Sequence, residues 1–83
     1  MSNSKETLSS PKGGAFAITP SDDTDLTIGA TAIYVGGAGN VKLITSLGQT
    51  VTFVGVSAGQ ILPVRAKRVI ATLTTATNLV GLY

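Results

Sequence analysis

Between Gly14 and Tyr83 the chain alternates short apolar runs with clusters of glycine, proline and small polar residues, and no run keeps a helical period. That pattern predicts strands. The runs fall at residues 15–19, 31–35, 41–45, 50–56, 61–72 and 79–83. Pro63 has no backbone donor and belongs at an edge, a bulge or a strand start, so the longest run divides near Arg65. Six or seven short strands spaced in this way predict an all-β fold, a small single-domain sandwich or jelly-roll-like barrel. Alternation puts Val51 and Phe53 on one face and Thr50 and Thr52 on the other. By the same reasoning Ile33, Val35, Val51, Phe53 and Val69 are the expected core.

The connections carry their own signals. Pro20-Ser21-Asp22-Asp23-Thr24-Asp25 reads as a loop whose carboxylates bond their own backbone. In Gly36-Gly37-Ala38-Gly39-Asn40 three glycines can take φ > 0 at no steric cost, which predicts a hairpin between 31–35 and 41–45. Ser46-Leu47-Gly48-Gln49 and Thr74-Thr75-Ala76-Thr77-Asn78 are the remaining turns. Residues 1–13 break the pattern, with Leu8 the single sizeable apolar side chain after Met1. Such a segment buries too little surface to order itself. It reads as an extended polar arm ahead of a β domain at 14–83, and we expect it to be an attachment element ordered on a neighbour.

Composition sharpens the picture. Twelve Thr, eight Val and six Ile make about a third of the 83 residues β-branched, which suits a pleated surface. Charged residues are only 12%, against about 25% in ordinary soluble domains. So little polar surface, together with an apolar run at 79–83, favours a protein that covers itself with copies of itself. There is no cysteine and no histidine, so the disulfide and zinc staples of small domains are not expected. The longest uncharged stretch, 43–64, is interrupted by Ser, Thr, Gln, Gly and Pro and should not span a bilayer. No basic start with an apolar core follows Met1, so conventional export is not expected. The net charge of +2 is too small for a polyanion-binding surface, whatever the pI of 9.3 suggests.

Candidate chemistry is sparse. Without His or Cys the usual proton carriers and nucleophiles are missing. The acids are Glu6 in the arm and Asp22, Asp23 and Asp25 within one turn, a poor arrangement for two carboxylates facing across a cleft. The same trio lacks calcium-loop spacing, since Ile28 and Tyr34 stand where a Gly and a Glu belong when counting from Asp23. The Gly36–Gly39 stretch leads into a strand, not a helix that could receive a phosphate. No catalytic, metal or cofactor residue is expected. Arg65, Lys67 and Arg68 concentrate half the positive charge in four positions, as a solvated or interfacial patch able to meet an acidic protein surface. With only Phe16, Tyr34, Phe53 and Tyr83 as aromatics, a stacking platform for nucleic acid or glycan is the weaker alternative.

The runs Gly14-Ala15-Phe16-Ala17-Ile18-Thr19-Pro20-Ser21-Asp22, Ala32-Ile33-Tyr34-Val35-Gly36-Gly37-Ala38-Gly39-Asn40-Val41, Val51-Thr52-Phe53-Val54-Gly55-Val56 and Ile61-Leu62-Pro63-Val64-Arg65, closing on Leu82-Tyr83, are informative together. In order and spacing they resemble the small head-spike base proteins of tailed phages and gene transfer agents. The resemblance covers about residues 13–83 and carries no catalytic residue. It implies a non-enzymatic structural protein, made in the host cytoplasm and placed on the capsid exterior. There it would oligomerise, five copies being favoured over three, and offer a platform for a fibre or spike. The implied partners are other copies of the chain, the major capsid protein and the fibre, with neither nucleic acid nor membrane contacted directly. Candidate assembly residues are Lys5, Leu8 and Lys12 in the arm, the Arg65, Lys67 and Arg68 patch, and Leu79, Leu82 and Tyr83 in the last strand.

Overall fold

The computed structural model describes residues 13–83 as seven strands with no helix among them. They are β1 (Ala15–Ala17), β2 (Ala32–Gly37), β3 (Gly39–Thr45), β4 (Thr50–Val56), β5 (Gln60–Leu62), β6 (Ala66–Val69) and β7 (Thr77–Leu82). All pairings are antiparallel, in two sheets ordered β1-β7-β2-β5 and β4-β3-β6. The fold is the all-β sandwich that the alternation predicts. Its filling comes from the inner faces of both sheets, with Ile33 and Val35 of β2 set against Val41, Leu43 and Val69 of β3 and β6, all essentially without solvent contact.

Ile33, Val35 and Val69 hold their expected core places. Phe53 only half does, packing against the cluster from its margin. Val51 does not. It lies opposite Leu43 on the inward side, yet is 40% exposed. The reason is that β4 is an edge strand and β5, which follows it into the other sheet, is only three residues long.

The glycine run corrects a second expectation. β2 and β3 belong to different sheets, so residues 36–40 carry the chain across the sandwich and close no hairpin. Close approach, not turn geometry, demands glycine here: a Cβ on Gly36 would meet Asn78, and one on Gly39 would meet the backbone at Ala76. Asn40 knits the crossing to the far connection, its N–H donating to Thr75 Oγ1 and its carbonyl accepting from the N–H groups of Thr75 and Ala76. The true hairpin is β3–β4, closed where the Thr45 carbonyl accepts the Gly48 N–H and the Gln49 carbonyl accepts the Thr45 N–H.

One irregularity sets which side chains of β4 face inward. Val41 pairs with Phe53 but Gly39 pairs with Val56, so two residues of β4, Val54 and Gly55, oppose the single Asn40 of β3. Gly55 occupies the extra place at φ 72°, and its N–H donates to Asn40 Oδ1 at 2.9 Å. This bulge resets the alternation, so Phe53 and Val56 both turn inward although strict period 2 would separate them.

Candidate assembly surface

Charge is divided unevenly over the sandwich. Between residues 13 and 83 the charged side chains are Asp22, Asp23, Asp25, Lys42, Arg65, Lys67 and Arg68. None lies in β1, β2, β5 or β7. The outer face of the four-stranded sheet follows from its register. Tyr34 sits beside Val80 and Ile61, Val80 beside Ala17, and Leu82 between Ala32 and Ala15. Those rungs are apolar, with Tyr34 38% exposed and Val80, Ile61 and Leu82 half-buried. The inner side of the same sheet trades bulk between neighbours. The Phe16 ring lies over Gly81 and the Tyr83 ring over Gly14, with centroids 5.8 Å apart.

The charged groups gather on the three-stranded sheet and on the connection leading from β1. Arg68 Nε donates to Asp25 Oδ1 at 2.8 Å and Nη1 to the Asp22 carbonyl at 3.2 Å. Asp22 accepts the Thr72 N–H on one carboxylate oxygen and the Thr72 hydroxyl on the other, at 2.9 and 2.6 Å. The Thr72 hydroxyl, then its N–H, hold the Asp22 carboxyl below its usual 3.8. Two of the three acids are therefore clasps that fasten the connection to β6 and its continuation. Backbone bonds complete the seam: the Ser21 N–H donates to Val69, the Leu26 N–H to Lys67, and Ala30 and Ala66 exchange both bonds.

The expected assembly residues divide accordingly. Lys5, Leu8 and Lys12 lie outside the described residues. Arg65 and Lys67 are exposed, but Arg68 is spent on the molecule's own Asp25. The register between β3 and β6 shifts between Ile44 and Thr45, so Ala66 and Val69 both turn inward and Lys67 and Arg68 come to the same outer side, with Arg65 exposed beside them. Leu79 is corrected outright, being 3% exposed within the core. Leu82 and Tyr83 keep partial exposure at the end of β7. Sequence reading passed over the Arg68–Asp25 pair and the exposed Val54 and Leu47 beside the hairpin. The Gly55 bulge was the signal available for Val54, since a glycine inside a strand marks a bulge.

A cleft of about 480 Å³ opens between β1 and the connection, lined by Phe16, Ala17, Leu26 and Ile28 with several hydroxyls. Among the described residues its one ionisable group is Asp25, which is paired with Arg68.

These features define a small β sandwich with one uncharged flank and no assembled catalytic group among the described residues. Against solved structures the chain matches one described as "Capsid of native GTA particle computed with C5 symmetry", with 46% identity and a TM-score of 0.82 over 96% of this chain and 93% of that one. It belongs to the same family as that gene transfer agent capsid component. No protein-family model and no curated protein matches the chain.

Proposed function

We propose that this protein is a structural component of a virion or gene transfer agent particle, set on the capsid exterior as an oligomeric base at a symmetry axis and anchoring a fibre or spike. The observation that carries this reading is the 46% identity, over nearly all of both chains, to a component of a capsid computed with C5 symmetry. The sandwich supports it. An uncharged flank can be covered by a capsid or by another copy without stranding a charge, whose burial would cost several kcal/mol. Five copies suit an icosahedral vertex, and three are the next choice. The aromatics speak against a ligand-binding module, because Phe53 lies against the core and the two exposed rings are not joined in one platform, Tyr34 standing on the outer face of β2 and Tyr83 packing on Phe16 at the end of β7.

The test is the mass of the purified full-length protein in native solution, followed by co-sedimentation with capsid shells lacking it. A single closed oligomer that pellets with the shells is the expected result. An 8.4 kDa monomer at micromolar concentration, or an oligomer that stays in the supernatant, overturns the assignment.

A further inference from the structure

The β3–β4 hairpin turns at Ser46-Leu47-Gly48, and Leu47 at its apex is 85% exposed, the most exposed large apolar side chain among the described residues. Turn apexes ordinarily take Gly, Asn, Asp, Ser or Pro, because these residues either suit the backbone or bond to it. Leucine does neither. The turn that carries it is firmly held, for the Gln49 N–H donates to Thr45 Oγ1 at 3.2 Å and the Ser46 N–H to the Arg65 carbonyl at 3.0 Å. A side chain on so fixed a turn meets a partner at little cost in ordering.

The cleft between β1 and the connection that follows it has the matching character. Phe16 and Leu26 in its lining also pack against the core, Ile28 is 42% exposed, and the volume of about 480 Å³ leaves room for a leucine and the turn beneath it. We propose that the Leu47 turn of each copy seats in this cleft of a neighbouring copy. The proposal rests on the oligomeric reading above and goes further by assigning both surfaces of the contact.

A second copy is the occupant because knob and hole belong to one chain and lie at different borders of it. Backbone bonds from Ser21, Leu26 and Ala30 sew the cleft side to β6, whereas the hairpin ends on β4, which runs directly into β5 along the other border. Copies set side by side therefore bring the turn of one to the cleft of the next. Charge agrees with this. No charged residue occurs from Leu43 to Val64, and the cleft's Asp25 is already bonded to Arg68, so closing the contact strands no ion. A lasting contact draws about 500 Å² from each copy, more than one leucine gives, and the exposed Val51 and Val54 along β4 extend the apolar surface beyond the turn. The two patches differ, so the contact runs head to tail, and contacts of that kind close into rings when the rotation from copy to copy completes a circle.

The test measures the native mass of full-length Leu47→Ser and Ile28→Glu beside that of the unchanged chain. Both positions are exposed, so the fold should hold, with the amides of β2 and β7 as protected as before. Each change should weaken self-association about 10- to 100-fold per contact. In parallel, Leu47→Cys and isotopically labelled Ile28→Cys are refolded together and mildly oxidised, which is clean because the chain has no cysteine. Dimers of one labelled and one unlabelled chain are expected, and they decide the matter even if a charged or polar variant fails to fold. Dimers between Leu47→Cys chains only overturn the cleft in favour of turn meeting turn. A Leu47→Ser or Ile28→Glu oligomer of unchanged mass and stability overturns the contact and leaves the oligomeric base standing. An unchanged chain that is monomeric at every concentration removes both.

Discussion

A carboxylate that accepts a hydroxyl proton and an amide proton at once is held in its charged form, and Asp22 does this with Thr72 alone. Its folded-state pKa lies below the unfolded 3.8, so the stabilisation is complete above that value and is lost as pH falls through the lowered one. Asp22→Asn keeps the shape but has no charge to lose. Thermal denaturation of both proteins between about pH 5 and pH 2 should show the native chain more stable at the upper end, with the two curves converging in acid. Parallel curves would mean that the clasp does not depend on ionisation. The loop character of this segment was legible from its Pro, Ser and Asp residues. Its clasp was not, because Thr72 is fifty positions away and nothing local marks it as the partner.

At the scale of elements, the strands were legible where β-branched alternation met glycine or proline, and β3, β4 and the break between β5 and β6 follow from it directly. Which strands pair was less legible. A run such as Gly36-Gly37-Ala38-Gly39 serves equally as a tight turn or as a crossing pressed against another backbone, and only the position of residues 75–78 decides between them. The exposure of Val51 was hidden for a related reason, since period 2 tells which face a residue takes but not whether another layer covers it. The bulge in β4 offers a direct check. Gly55 at φ 72° lies where an L side chain is strained, so Gly55→Ala should cost about 1–2 kcal/mol, read as a lower urea midpoint at unchanged slope. An unchanged midpoint would show that β4 reaches the same register without the left-handed residue.

Across the whole molecule, the scarcity of charge was plain in the sequence, but its confinement to one flank depends on sheet membership and could not be read there. Contacts built from the four-stranded sheet or the Leu47 turn hold no ion pair between copies for salt to screen, and apolar burial is not weakened by salt. The proposed oligomer should therefore keep its mass from about 0.1 to 1 M sodium chloride. Dissociation over that range would move the contact to Arg65 and Lys67. The order of the strands also constrains time. β7 comes after all the other strands, yet sits between β1 and β2, so Leu82 must find both Ala15 and Ala32 before the four-stranded sheet exists. The β3–β4 hairpin closes locally and can form at once, whereas this last insertion joins distant parts of the chain and is intrinsically slow. Each copy therefore displays its Leu47 turn before β1 is in place to wall the cleft, and in the interval between those two events the turn is ready while no copy can yet receive it.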